Sequence, residues 1–395
     1  MDLRDSPEEA AFRAEARAFL EANAPREMPD YYDDEVDNEK YLARSLAWQR
    51  KLYEANWAGI TWPKQFGGRG LGPIEQIIWN QEVGRMGLGE SVAFVGIALT
   101  GPTIIAHGTA EQKQRYLDPI LRGDELWCQL FSEPGAGSDL GSLSTRAVKD
   151  GDEWIVNGQK TWCSGGQHGD FGILIARTDP KVPKHEGITY FLVDMKTPGI
   201  EVQPLRDMTG GAHFAEVFMS DVRIPDENRV GALGGGWGVT MTTLMNERMA
   251  MGGLERMIPV DELLDLAGKS GDRVDARLRD ELAKLYTWVR TIQLLNSRVI
   301  TKLSRGQMPA AESSVMKLAI ARVFTKAAEL GVALQGPHAL ERRGFWQRRF
   351  LGAPSIHIGG GTDEVQKNVA AERFLGLPRE PASDRNIPFE DLPRS

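Results

Sequence analysis

Four stretches of this 395-residue chain carry side chains whose types and spacing could do chemistry. In Ser132-Glu133-Pro134-Gly135-Ala136-Gly137-Ser138-Asp139, small residues that let a backbone approach a ligand alternate with hydroxyls able to bond a heterocycle edge or a phosphate. An ordinary Gly-rich turn would look the same. Asn157-Gly158-Gln159-Lys160-Thr161-Trp162-Cys163-Ser164 begins with the Asn-Gly of a hairpin turn and continues as a strand, on which Trp162 either flanks a planar ring or joins the core. In Leu244-Met245-Asn246-Glu247-Arg248, helical spacing sets Glu247 one turn from both Leu244 and Met251. Such an apolar border would raise the carboxylate's pKa toward that of a useful base, and a solvated Glu-Arg pair is the plainer alternative. Thr362 can N-cap a helix whose first turn holds Asp363 and Glu364, where free N–H groups favour a polar or anionic ligand. The six histidines form no metal-ligand cluster, and neither a Gly-x-Ser-x-Gly elbow nor a phosphate-binding P-loop is present.

The elements that must position these groups follow from texture. From about 6 to 126 the chain reads as amphipathic helices, beginning where Ser6, Pro7 and Glu9 make a cap and first turn and where Phe12, Ala16, Phe19 and Leu20 share a face. From 127 to 232 short apolar runs such as Ile188-Thr189-Tyr190-Phe191-Leu192-Val193 predict strands. After Gly234-Gly235-Gly236 long helical patterns return, through Arg279–Ser304 and Glu312–Leu334, and the polar tail from Pro381 is expected to be loosely held. The expected domains are therefore 1–126, 127–232 and 233–395, which fits the length. Hydrophobic residues at 41% and charged residues at 26% suit a soluble enzyme, and the net charge of -8 argues against nucleic-acid binding. No apolar run approaches a membrane span, and two cysteines with an acidic N-terminal stretch suit the reducing cytoplasm.

Taken in order, these motifs resemble the acyl-CoA dehydrogenase family over nearly the whole chain. Trp57-Ala58-Gly59-Ile60-Thr61-Trp62-Pro63 and Gly67-Gly68-Arg69-Gly70 are similar to its N-terminal helical domain. The 132–139 and 157–162 segments resemble its flavin-site signatures, and Gly361-Thr362-Asp363-Glu364-Val365-Gln366 its C-terminal one. The resemblance implies an α+β multidomain fold: an N-terminal α-helical domain, a middle β-barrel domain and a C-terminal four-helix bundle. It implies FAD, held by Gln129, Leu130, Phe131, Ser132, Ser138, Trp162, Ser164, Thr362 and Glu364, with Gly336 supplied by a neighbouring subunit. Ser138 and Arg248 would meet the CoA arm of an acyl-CoA substrate. It also implies an electron-transferring flavoprotein as electron acceptor, and a homodimer or homotetramer, or a heteromer with a related subunit.

Two departures stand out. Most family members carry the base that removes the α proton just before the Gly-Thr pair, where this chain has Gly360. A minority, the isovaleryl- and long-chain-type members, place it on the helix opening the last domain, which makes Glu247 the candidate base and leaves room beside the α carbon for branched, cyclic or bulky acyl groups. The family's Arg-x-x-Phe-Gly element has no good counterpart in Leu266-Ala267-Gly268-Lys269-Ser270, so that Lys269 or Arg273 would have to substitute, or another subunit would. Other flavin chemistry on the same scaffold (acyl-CoA oxidase, monooxygenase, nitroalkane oxidase) and a non-catalytic subunit of a mixed oligomer are the alternatives.

Overall fold

The computed structural model describes residues 5–25, 38–88, 91–250, 258, 260–307, 311–341, 344–379, 381 and 386–393. The chain forms two compact units. One comprises 1–22, 73–86 and 251–379; the other comprises 23–72, 87–250 and 380–395.

The first unit is helical. Helix α1 (Pro7–Asn23) starts at a closed capping box: the Glu9 N–H donates to Ser6 Oγ at 3.2 Å and the Ser6 N–H donates to Glu9 Oε2 at 2.7 Å. It buries Phe12, Ala16 and Leu20 at four-residue spacing. Helix α3 (Pro73–Arg85) supplies Glu82, which is 2% exposed and gathers Arg13, Arg17 and Arg85 at 3.2, 2.9 and 3.0 Å. Helices α7 (Val260–Lys269), α8 (Ala276–Ser304), α9 (Ala311–Gln335), α10 (Phe345–Ile358) and α11 (Asp363–Arg373) complete the unit, with α9 packed against the other four. Leu263, Leu285, Ile292, Phe324, Leu334 and Trp346 fill its core. A Cβ at Gly331 would stand 2.1 Å from the Trp346 indole, so only glycine lets α9 and α10 close there.

The second unit is a sheet with helices on one face. Its strands are β1 (Trp127–Leu130), β2 (Arg146–Asp150), β3 (Glu153–Ser164), β4 (Phe171–Arg177), β5 (Ile188–Asp194), β6 (Ile200–Leu205), β7 (Phe214–Pro225) and β8 (Arg229–Val230). They run in the order β6-β7-β3-β2-β4-β5-β8, with β1 parallel to β4. Strands β4 and β5 are covered on both faces, which explains their unbroken apolar runs. Pleating sends Ile173 and Ile175 to one core, with Ile104 and Leu117 of helices α4 (Gly101–His107) and α5 (Ala110–Arg122). Leu174 and Ala176 go to the other core, with Val156, Phe191 and Val217. Helices α2 (Asn38–Glu54) and α6 (Gly236–Ala250) belong to the same unit. Among the described residues no helix is long and apolar enough to cross a membrane.

Two sequence expectations are corrected here. Asn157-Gly158 is not a hairpin turn but lies inside β3. The β2–β3 turn falls at Gly151-Asp152, where Asp150 pairs with Glu153 and Gly151 takes φ +59. Asn157 instead exchanges hydrogen bonds of 3.0 Å with Asp221 across a register shift, and a Cβ on Gly158 would stand 2.3 Å from Thr145 Oγ1. The tail is not loose where it is described. Pro388 bridges Pro183, and the N–H groups of Phe389 and Glu390 donate to the carbonyls of Val182 and Pro180 at 3.0 and 2.9 Å.

Candidate active site

The 132–139 loop is locked to β3 by a buried ion pair. Lys160, with no exposed surface, donates from Nζ to Glu133 Oε1 at 2.8 Å and to the Phe131 carbonyl at 3.0 Å. The same carboxylate accepts from the Ser144 and Thr145 N–H groups at 2.6 and 3.0 Å. Burial pushes the Glu133 pKa up, but the Lys160 charge and these hydrogen bonds outweigh it and hold the carboxyl below the ordinary range. The Thr161 N–H donates to the Ser132 carbonyl at 2.9 Å, bringing the two sequence motifs side by side. Neither Glu133 nor Lys160 stands out as a functional residue in the sequence. A signal exists: Lys160 continues the inward register of Trp154 and Val156, a position where a charge requires a buried partner.

Beyond this lock the strand displays Trp162. A register shift between Lys160 and Cys163 puts Trp162 at φ +59, a left-handed conformation rare for a bulky side chain, and leaves it 55% exposed. Phe214 meets it edge-on at 5.6 Å. Cys163 points inward and Ser164 outward again, so an aromatic face and a hydroxyl share one side. Gln129 is half-buried on β1. Leu130 and Phe131 are placed differently from a simple ligand contact: their side chains fill the two cores, leaving their backbone for any ligand. Ser138 is exposed, and Cβ atoms on Gly135 and Gly137 would meet nothing within 4 Å.

Glu247 sits on α6, whose start is pressed against β5: a Cβ on Gly236 would lie 2.6 Å from the Thr189 backbone. Thr240 and Thr243 are fully buried on this helix. Thr243 Oγ1 shares hydrogen bonds with Thr103 at 2.9 Å and Tyr190 at 3.2 Å. Glu247 is one turn beyond Thr243, so it extends that buried stripe and is itself half-buried. Leu244 packs against the adjoining core. The Arg248 side chain and Met251 lie outside the described residues.

The helical unit holds the other candidates. Thr362 caps α11 as expected, its Oγ1 accepting the Val365 N–H at 3.2 Å, and Glu364 is exposed. Gly360 and Gly361 take φ +65 and +90, and the Gly360 carbonyl accepts from Gln366 Nε2 at 3.0 Å. The absence of a side chain at Gly360 thus has a local backbone cause. Gly336, at φ +58, lies beside Arg273, whose Nη1 reaches the Gln335 carbonyl at 3.4 Å, whereas Lys269 is exposed at the end of α7.

Comparison with known proteins fits this architecture. Residues 6–124, 128–222 and 234–375 match the N-terminal, middle and C-terminal domains of acyl-CoA dehydrogenases. The chain belongs to the acyl-CoA dehydrogenase family of oxidoreductases. It is 35% identical to acyl-CoA dehydrogenase IpdE1 of Mycobacterium tuberculosis over 93% of this chain and 98% of that one. It is 44% identical to acyl-CoA dehydrogenase FadE34 of the same organism over 80% of this chain, a match that spans only 44% of FadE34. Among solved structures, the Tcur3481-Tcur3483 steroid ACAD superposes with a TM-score of 0.84 at 29% identity, covering 96% of this chain and 100% of that one.

Proposed function

We propose that the chain desaturates an acyl-CoA thioester between its α and β carbons, with Glu247 as the base. The observation that carries this reading is the exposed Trp162, in a left-handed bulge on the strand that the Glu133–Lys160 pair ties to the 132–139 loop. Such a platform suits the flat ring of FAD, with Gln129, Ser132, Ser164 and the backbone of Leu130 and Phe131 along its edge. Ser138 would face the phosphates of the dinucleotide and the CoA arm, in a loop whose open glycines allow close approach. Thr362 and Glu364 would hold the rest of the dinucleotide, together with Gly336 of a neighbouring subunit. Arg273, tethered beside Gly336, is the better substitute for the missing family arginine. When bound, FAD supplies the acceptor for the β hydride. The protein's own task is to take the α proton, for which Glu247 is fixed by α6, and to stabilise the developing enolate through hydrogen bonds to the thioester carbonyl. Arg248 is assigned to a polar group of CoA.

In this reading 1–126 is the N-terminal domain, 127–232 the flavin and CoA domain, and 233–395 the domain of the base and of assembly. A place in lipid degradation and a cytoplasmic location accompany it, with an electron-transferring flavoprotein as acceptor. The steroid named for Tcur3481-Tcur3483 agrees with a bulky acyl group, as does the bare Gly360. Each CH₂ buried beside the α carbon would add about 0.8 kcal/mol. The paired names of that enzyme favour a heteromer with a related subunit over a homotetramer. Exposed Leu264, Tyr286, Trp288 and Leu294, near an open groove of about 890 Å³ along α7 and α8, supply apolar surface for assembly.

One anaerobic experiment tests the reaction and the substrate together. Flavin bleaching is followed on mixing with butyryl-, octanoyl-, α-branched and ring-bearing acyl-CoA esters. The bulky esters are expected to react fastest, and Glu247→Gln to retain FAD while slowing bleaching by several orders of magnitude. Clear preference for the linear esters overturns the substrate assignment, and near-normal bleaching in the variant moves the base, with Glu364 next in line. Peroxide formation in air would instead favour an oxidase.

A further inference from the structure

A chain of contacts runs from near the end of the sequence to the loop that carries Ser138. Arg177, at the end of β4, is 4% exposed, and both terminal nitrogens of its guanidinium donate to backbone carbonyls. Its Nη2 donates to Gly141 at 2.6 Å and Leu143 at 3.3 Å, and its Nη1 donates to Lys184 at 2.6 Å. One cation thereby joins the 139–143 turn to the 180–187 connection between β4 and β5. A second clamp lies alongside. Lys184 Nζ reaches Asp139 at 2.9 Å, and the His185 ring lies so close to Gly141 that a Cβ there would stand 2.6 Å from its Nε2. The outer face of the guanidinium is covered by Phe389, with 3.7 Å between Arg177 Cζ and the ring centroid. Phe389 is itself held to the 180–183 backbone by the hydrogen bonds of Phe389 and Glu390 and by the Pro388–Pro183 bridge.

We propose that the 388–390 segment is a strap, with Phe389 and Arg177 as positioning residues that fix the 138–143 loop and so set affinity for the CoA-bearing substrate. The last clause rests on the reading that Ser138 faces the CoA arm. Physically, three carbonyl hydrogen bonds from one buried cation hold only while the cation stays in place. Removing Phe389 opens Arg177 to water, which competes for the same donors. The strap reaches the 138–143 loop through Arg177, so it should change binding rather than the chemical step.

The test uses the FAD-bound enzyme carrying Phe389→Ala, with Phe389→Leu as the variant that keeps apolar bulk without the aromatic face. Hydrogen exchange is read at the Ser142 and Leu143 amides, with the Ile173–Ala176 amides of β4 as internal reference. Kinetics are read with the best acyl-CoA substrate. The expected result is at least tenfold faster exchange in the loop, an unchanged β4, and KM raised about five- to tenfold with kcat within twofold, with Phe389→Leu intermediate. Unchanged loop exchange in both variants overturns the strap whatever the kinetics show. A loosened loop with unchanged KM leaves the strap standing and overturns the placement of Ser138 at the CoA arm. A fall in kcat with no change in KM overturns the claim that the strap acts on binding.

Discussion

At Lys160 and Glu133 two opposite charges leave water together, which is tolerable because they pair with each other and with nearby backbone groups. Removing one partner leaves the other buried and unmatched, a loss of roughly 3–5 kcal/mol, whereas exchanging both for apolar residues of similar size costs far less. Lys160→Met is therefore expected to lower the thermal midpoint sharply and to weaken FAD retention, because the Phe131 carbonyl and the 132–139 loop lose their anchor. Lys160→Met combined with Glu133→Leu should recover much of the midpoint. Thermal unfolding of the single and double variants checks this, and equal midpoints for the two would refute it. At this scale strand register marks Lys160 as inward-facing, but the sequence does not show that Glu133 is its partner. Trp162 was legible as either ring platform or core, and only the bulge, a backbone feature with no compositional mark, turns it outward. Phe389 and Arg177 are more than two hundred positions apart and have no local motif to join them.

Between elements, the α1–α3 contact is centred on one carboxylate. Burial pushes the Glu82 pKa up, but hydrogen bonds from Arg17, Arg13 and Arg85 outweigh it and bring it from 4.5 down to about 2. A pKa lowered in the folded state means that unfolding takes up a proton on acidification. The stabilisation is thus complete above about pH 4.5 and is lost as the pH falls toward 2, at most roughly 3 kcal/mol from this group. Urea unfolding followed from pH 6 to pH 3 should show wild type losing more stability than Glu82→Gln, which starts lower and lacks this titration. Parallel curves would refute the assignment. The elements themselves were largely readable, since α1, α8 and α9 follow apolar spacing and β4 and β5 follow unbroken apolar runs. Asn157-Gly158 reads as a turn because its turn chemistry is local, while the long β3–β7 pairing that overrides it is not.

For the whole molecule, the sequential order helical, strand-rich, helical is plain from texture. How the helices group is not, since α1 and α3 fall in one unit with the late helices across the intervening sheet segment of the sequence, with α3 packed against α8. The exposed apolar residues of α7 and α8 lead to an assembly prediction. Sedimentation of the purified chain should show a dimer or larger species, alone or with a related subunit, and a monomer carrying full FAD would contradict it. The grouping also bears on synthesis. Helices α1 and α3 leave the ribosome before the sheet and can pair through Glu82. Their remaining partners follow only after 87–250 has been made, which at roughly 5–20 residues per second is a delay on the order of ten seconds or more. During that interval the helices already made lack the partners that complete their bundle, and their apolar sides are open to chaperones.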